Sequence, residues 1–234
     1  EISAEQAASC FVNPMTALGF METRDIEGQK AIVHTAAASN LGQMLHRLCA
    51  ADSIPLVNIV RSEAQVELLK SMGAEWVLNS QREQYMKELI ETLTVTGATL
   101  AFDAIGGGRG VNRILTAMEI AAAQRGTWSR YGSEEPKQAY IYGQLDLSVT
   151  ELTRGYGWVW SVNGWLLAPF MNRAGPERVE RMRQRVRNEI STTFASHYSS
   201  RISLPEAITV EAAEQYGQRK TGQKTLLLMS DSAT

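Results

Sequence analysis

Short apolar runs alternate with segments of helical periodicity along most of this chain. The runs contain many β-branched and aromatic residues and show little polar alternation, which is typical of strands buried on both faces of a parallel sheet. The predicted strands span residues 31–34, 56–60, 76–79, 98–105 and 139–143. Strands that alternate with helices in this way predict an α/β fold with a doubly wound parallel sheet.

Helices are predicted between these strands and near both ends of the chain. Ser3 is placed as the N-cap of a first helix, and Asn13-Pro14 is expected to break residues 3–21 into two helical pieces. Gly73 is placed to end the helix at 63–72, and Pro176 to begin a long charged one. The other predicted helices begin near Gly42 and span residues 83–94, 111–123 and 205–216.

Two regions are less regular. Residues 145–170 are rich in Trp and Gly and are predicted as strand and loop, without a helix. Near the end of the chain, a polar turn at 219–222 is expected to precede a final strand at 225–229.

Composition narrows the class of protein. With 234 residues, 44% hydrophobic content and a net charge of −2, the chain has ample material for a packed core and no basic excess for a nucleic-acid partner. Cys10 and Cys49 lie in apolar, helix-like stretches and are expected to be buried, and their spacing does not suggest a metal site. No apolar run is long enough to cross a membrane, so a cytoplasmic location is expected. Because the chain begins at Glu1 with a helix cap close behind, we expect it to be part of a larger protein.

The turn after the first strand is the main candidate for function. Residues 35–40 are all small, and the pattern A-x-x-S-x-x-G at Ala36, Ser39 and Gly42 stands where dinucleotide-binding folds usually have G-x-G-x-x-G. A strand, a compact turn and a helix N-terminus can bind a pyrophosphate through free backbone N–H groups and the helix dipole. The same residues would also suit a close-packed connection without a ligand.

Four segments together resemble the medium-chain dehydrogenase/reductase superfamily, in particular its zinc-independent quinone-oxidoreductase and enoyl-reductase branches. They are NPMTA at 13–17, VHTAAASNLG at 33–42, VNIVR at 57–61 followed by LLKSMGA at 68–74, and FDAIGG at 102–107. The resemblance implies a Rossmann-like cofactor domain at residues 1–195. It also implies that residues 196–234 are a C-terminal segment that returns to a GroES-like half not included in this sequence.

The residue that ends the second strand bears on the choice of cofactor. Domains that prefer NAD usually have Asp or Glu there, whereas this chain has Val60 followed by Arg61. A guanidinium binds a phosphate well, so the 2′-phosphate of NADP(H) is favoured. Arg61 could alternatively be an ordinary exposed arginine on a turn.

Other site residues follow from the geometry of parallel sheets and from the resemblance. Ligands lie outside the carboxyl ends of the strands, and the resemblance adds Asn13 and Thr16 near the nicotinamide. Asp103 is expected to cap the glycine-rich turn, and His34 and His46 are expected to be structural. The predicted cofactor-binding residues are Asn13, Thr16, Ala37, Ser39, Asn40, Leu41, Gly42, Arg61, Ser80, Ala104, Ile105, Tyr142 and Gly143. Of these, Ser39, Asn40 and Leu41 are expected to offer backbone N–H groups to the pyrophosphate.

The resemblance implies an NADP(H)-dependent oxidoreductase that transfers hydride to a quinone, an enone or enoyl group, or a carbonyl of a small molecule. The proton donor is expected in the absent half, so no catalytic residue is predicted, and this chain alone is expected to bind the cofactor without turnover. The resemblance also implies a homodimer, which we place around residues 157–167.

Three alternatives remain open. The chain could be the cofactor domain of a zinc-type alcohol dehydrogenase, although Cys10 is a poor candidate for the ligand that this requires. It could be a methyltransferase-like nucleoside binder, which Arg61 opposes. It could also be a catalytically silent interaction module.

Overall fold

The computed structural model describes residues 2–126, 129–217 and 224–229. Within these ranges the strands are β1 (Ile32–Thr35), β2 (Leu56–Val60), β3 (Trp76–Asn79), β4 (Leu100–Asp103), β5 (Gly106–Gly108), β6 (Lys137–Ile141), β7 (Asp146–Thr150), β8 (Trp160–Gly164), β9 (Ser200–Ser203) and β10 (Thr225–Leu228). The helices are α1 (Ala4–Ala7), α2 (Val12–Ile26), α3 (Asn40–Ala51), α4 (Glu63–Ser71), α5 (Tyr85–Thr96), α6 (Gly110–Arg125), α7 (Leu167–Ala174), α8 (Pro176–Glu189), α9 (Leu204–Ala207) and α10 (Val210–Gly217).

Six strands form one parallel sheet in the order β3-β2-β1-β4-β6-β8. From β1 the order runs through β2 to β3 at one edge, and from β4 it runs through β6 to β8 at the other edge. The gap between β1 and β4 is therefore the topological switch point. The doubly wound parallel fold predicted from the hydrophobic pattern is therefore confirmed. In such folds the crevice outside the carboxyl ends of the strands at this point is where ligands bind.

Alternate residues of each strand face opposite sides of the sheet, so the sheet has an apolar core on both faces. Ile32 and Phe102 pack on the face covered by α2, α3, α7 and α8. Val33, Ala101 and Ala139 belong to the core that α5 and α6 cover on the other face. Burial on both faces explains why these strands appear in the sequence as continuous apolar runs.

Two smaller parallel pairs lie outside this sheet. β5 pairs with β7, and β9 pairs with β10. Asn112 of α6 anchors the segment that follows β7, because its Oδ1 accepts hydrogen bonds from Thr153 N (2.9 Å), Thr153 Oγ1 (2.8 Å) and the Tyr156 hydroxyl. Among the described residues, no helix has both the length and the apolar character needed to span a bilayer.

The start of the chain differs from the prediction. Ser3 caps α1 as expected, but Asn13 and Pro14 do not break the next helix, since both lie in the first turn of the continuous helix α2. A proline is tolerated there because the N–H that it lacks has no acceptor within the helix. Cys49 is buried as predicted, whereas the prediction for Cys10 is wrong, since it lies only half-buried in the turn between α1 and α2.

Three further boundaries were predicted wrongly. The strand expected at 98–105 is shorter, because β4 ends at Asp103, and Gly106, at φ +83°, lies in a separate short strand. A helix, α7, begins inside the region predicted as strand and loop, at Leu167. The single helix expected at 205–216 is divided into α9 and α10. The turn predicted at 219–222 lies outside the described residues, while the final strand is confirmed as β10.

Candidate functional site

The turn between β1 and α3 is held by short backbone contacts. Ala37 N donates to Ile59 O (3.2 Å), and Ser39 N donates to Ala36 O (2.9 Å). Ala36 has φ +50°, a left-handed conformation that favours glycine. An alanine thus occupies a position for which dinucleotide-binding turns ordinarily use glycine, and the turn nevertheless closes tightly.

Gly42 allows α3 to lie directly against this turn. A Cβ atom at residue 42 would be 2.1 Å from Ala37 O, so a larger residue could not be accommodated without moving the backbone. Ser39 is the N-cap of α3, and its Oγ accepts a hydrogen bond from Gly42 N (3.2 Å). Ser39 N–H, predicted to face a pyrophosphate, is instead engaged by Ala36 O. The helical geometry leaves the N–H groups of Asn40 and Leu41 without acceptors inside the helix, so they are the groups available to an anion.

Arg61 and Ser80 lie at the carboxyl ends of β2 and β3. Ser80 N donates to Val60 O (2.8 Å), which brings the segment after β3 against the end of β2. Arg61 is exposed, and its backbone N donates to Gln65 Oε1 (3.1 Å). No ion pair of the Arg61 guanidinium occurs within the described part of the chain, which leaves its charge available to a ligand.

Asp103 joins the ends of β1 and β4 across the switch point. Its carboxylate is buried and accepts hydrogen bonds from Thr35 Oγ1 and from Gly106 N, both at 2.7 Å. Ala104 N in turn donates to Thr35 Oγ1 (2.9 Å). The expectation that Asp103 caps the glycine-rich turn is confirmed.

The residues predicted after β4 and β6 meet in one place. Tyr142 N donates to Asp103 O (2.9 Å), and Leu145 N donates to Ala104 O (3.2 Å). A Cβ atom at Gly143 would be 2.5 Å from Ala104 O, so this close approach requires glycine. Ala104, Ile105, Tyr142 and Gly143 thus form one continuous side of the crevice.

A buried histidine contacts this side of the crevice. His34 is completely buried, its Nε2 lies 2.7 Å from the Tyr142 hydroxyl oxygen, and the two rings stack with centroids 5.7 Å apart. Burial lowers the pKa of His34 to about 3, so this imidazole is neutral at physiological pH. Burial and the charge of Asp103 raise the pKa of Tyr142. The sequence offered no partner for His34, because Tyr142 is 108 positions away.

Asn13 and Thr16, predicted near the nicotinamide, both lie in the amino-terminal half of α2. Thr16 is buried and lies one helical turn before Phe20, whose ring meets the Tyr142 ring edge-on at 4.8 Å. His46, the other histidine expected to be structural, is placed differently: its Nε2 contacts Met72 O at 3.0 Å, away from these residues.

Sequence reasoning missed a cation near the amino-terminus of α3. Asn40 Nδ2 donates to Ser196 Oγ (3.1 Å), and Lys224 Nζ donates to the same oxygen (3.4 Å). Desolvation lowers the pKa of Lys224, and its Nζ lies 5.4 Å from the centroid of the Tyr198 ring. Lys224 directly precedes β10, near the end of the chain and far from Asn40 in sequence. Its position next to Asn40 could therefore not be inferred from spacing. Within the described ranges, no cluster of three or more His, Cys, Asp or Glu side chains is arranged to hold a metal ion.

Comparison with known proteins gives consistent results. Residues 41–154 match the sequence model of the zinc-binding dehydrogenase family. The human mitochondrial enoyl-[acyl-carrier-protein] reductase is 27% identical over 139 residues, which cover 56% of this chain and 35% of that protein.

Solved structures extend the likeness to nearly the whole chain. A protein from Mesorhizobium loti, assigned as an NADPH:quinone reductase, superimposes with a TM-score of 0.78 and 27% identity over 97% of this chain and 61% of that one. A mycobacterial protein solved as a complex with NADPH has the same fold, with a TM-score of 0.69 and 17% identity over 98% of this chain and 66% of its own. This chain therefore spans about a third of the curated relative and less than two thirds of either solved structure.

Proposed function

Since the family model, the curated relative and the fold confirm the resemblance to the medium-chain dehydrogenase/reductase superfamily, we propose that this chain is the NADP(H)-binding part of an oxidoreductase. The whole protein would transfer hydride to a quinone, an enone or enoyl group, or a carbonyl of a small molecule. The names of the similar proteins include NADPH:quinone and enoyl reductases, which favours this substrate range.

The observation that carries the proposal is the anion-binding geometry at the switch point. Asn40 and Leu41 present free N–H groups at the positive end of α3, and Gly42 lets the backbone approach closely. Lys224 adds a positive charge beside Asn40. These groups would hold the pyrophosphate, while the side formed by Ala104, Ile105, Tyr142 and Gly143 would receive the nicotinamide. The cofactor supplies the hydride when bound, and the chain orients it and excludes water.

Arg61 supports a preference for NADP(H) over NAD(H). It follows β2, where a carboxylate would otherwise bind the ribose hydroxyls and repel a phosphate. Its guanidinium is exposed and can bind the 2′-phosphate through paired N–H groups. The contact would be solvent-accessible, so we expect it to contribute about tenfold in affinity.

The proposal is tested by titrating the chain with NADPH and with NADH and following the fluorescence of the reduced nicotinamide. The wild type is expected to bind NADPH at least about tenfold more tightly than NADH. Arg61→Ala is expected to remove this difference by weakening NADPH alone, whereas Arg183→Ala, at an exposed site on α8, should change neither. Absence of saturable binding of either nucleotide would refute the proposed function, and an unchanged preference in Arg61→Ala would refute the role of Arg61.

We also propose that residues 1–195 form the cofactor domain and that residues 196–234 connect it to a catalytic half. In support, among the described residues β9 and β10 pair with each other and not with the main sheet. Ile208, Val210 and Met229 are largely exposed apolar side chains. Limited proteolysis should remove the second segment first and leave a resistant core ending near residue 195. A single resistant fragment of full length would contradict this division.

A homodimer through β8 belongs to the same proposal. β8 is an end strand of the sheet, and Trp158 and Leu166, which flank it, are 79% and 66% exposed. Light scattering should give a dimeric mass for the wild type and a monomeric mass for Trp158→Lys. Val95→Lys, at a similarly exposed apolar residue on α5, should stay dimeric. A monomeric wild type would exclude this dimer.

A further inference from the structure

We infer that His34 is a positioning residue that holds the Tyr142 hydroxyl as a hydrogen-bond donor to the carboxamide oxygen of the bound nicotinamide. The inference rests on the proposed function and deepens it. It assigns a role to a buried histidine that pyrophosphate binding does not use.

His34 and Tyr142 together have two side-chain hydrogens to donate. A neutral imidazole has one N–H, and a tyrosine has one O–H. Only one of these two hydrogens can lie in the 2.7 Å contact between Nε2 and the hydroxyl oxygen. The other hydrogen needs an acceptor elsewhere.

The surroundings of His34 Nδ1 decide which of the two hydrogens is left over. His34 Nδ1 is shielded from solvent and has no hydrogen-bond partner among the described residues. An N–H group sealed in this position would lose a full hydrogen bond, whereas an unfilled nitrogen lone pair is tolerated more easily. The favoured tautomer therefore has its hydrogen on Nε2, which donates to Tyr142.

The hydroxyl hydrogen of Tyr142 is then the one left to bond elsewhere. With its oxygen accepting from His34, this hydrogen has no acceptor within the described residues. Tyr142 is only half-buried, and it directly follows β6 at the carboxyl edge of the sheet, beside Gly143 and Ala104. Its ring is held on one side by His34 and on another by Phe20. A donor that is fixed in this way and has no acceptor within the described residues suits a carbonyl oxygen of a ligand in the adjacent crevice, and the carboxamide of nicotinamide provides one.

The test compares two ligands that share the adenosine half. NADPH contains the nicotinamide, whereas 2′,5′-ADP lacks it. Tyr142→Phe and His34→Leu are each expected to bind NADPH about five- to tenfold more weakly than the wild type, with unchanged affinity for 2′,5′-ADP. His34→Gln can place an amide N–H near the position of Nε2 and should restore NADPH affinity to within about twofold. The double variant Tyr142→Phe/His34→Leu should be no weaker than either single variant.

The outcomes separate this inference from the proposed function. A wild type that binds neither ligand refutes both. A wild type that binds both ligands, with Tyr142→Phe equal to it, overturns only the inference. Equal losses for both ligands in His34→Leu would show a purely structural role, as would His34→Gln behaving like His34→Leu. Long-range 15N NMR of the imidazole adds a measurement that needs no substitution: a hydrogen on Nδ1 overturns the argument, and a hydrogen on Nε2 supports it.

Discussion

The completely buried, neutral His34 should make the stability of this protein depend on pH. Its pKa is about 3 in the folded chain and 6.5 when exposed in the unfolded chain. Between these two values the unfolded chain binds a proton that folded His34 does not. The stability that neutral His34 contributes is therefore complete above pH 6.5 and is lost as the pH falls toward 3.

The size of the effect does not depend on the exact folded pKa. Between about pH 7.5 and about pH 5.5, the unfolded imidazole goes from roughly one tenth to roughly nine tenths protonated, while the folded one stays neutral. Integrating over this interval gives a loss of about 1.4 kcal/mol in the free energy of unfolding from this one residue. That loss is a substantial part of the stability of an ordinary domain.

The measurement is urea unfolding at the two pH values, followed by tryptophan fluorescence and by far-UV circular dichroism. His34→Gln is the control, because the amide does not titrate while every other group of the chain does so as before. The stability difference between wild type and variant should become about 1.4 kcal/mol less favourable to the wild type at the lower pH. If acidification changes both proteins by the same amount, within about 0.3 kcal/mol, His34 is not held neutral by burial and the reasoning fails.

Three other substitutions test separate parts of the structure. Gly42→Ala should lower the free energy of unfolding by about 3 kcal/mol, because the added Cβ would meet a backbone carbonyl. Gly110→Ala, with open space around it, should change stability by less than about 0.5 kcal/mol. Similar values for the two variants would contradict the close packing of α3. Lys224→Met should weaken NADPH binding about fivefold and reduce the dependence of binding on salt. Lys87→Met, at an exposed site on α5, should do neither. Equal NADPH titration curves for Lys224→Met and the wild type would exclude Lys224 from the site. Asn112→Ala should lower the free energy of urea unfolding by about 2 kcal/mol, since three donors lose their common acceptor, and Asn112→Asp should lower it less. Unchanged stability in Asn112→Ala would show that these hydrogen bonds add nothing.

Most of the sheet could be predicted because burial on both faces leaves a strong local signal. The predicted bounds of β2 and β3 agree with the structure, since each is a mainly apolar run, with one asparagine, between polar turns. The grouping of Ala104 with Gly143 could also be anticipated, because the carboxyl ends of parallel strands share one edge of the sheet.

Other features depend on contacts between distant parts of the chain or on signals with two meanings. Pro14 is compatible with either a broken helix or the first turn of a new one, and only tertiary packing decides between them. The contact of His34 with Tyr142 spans 108 positions, and that of Lys224 with Ser196 brings the residue before β10 to the site. Sequence periodicity carries no information on such pairs, which is why these contacts were missed.

The carboxylate of Asp103 has a consequence for how quickly and how tightly a ligand can be taken up. By accepting hydrogen bonds from both Thr35 and Gly106, it holds the two sides of the crevice together before a ligand binds. An incoming molecule then meets a rigid receptor and sacrifices little conformational entropy in shaping it. A crevice built in this way would favour rapid capture and slow release of a matching ligand over adaptability to ligands of other shapes.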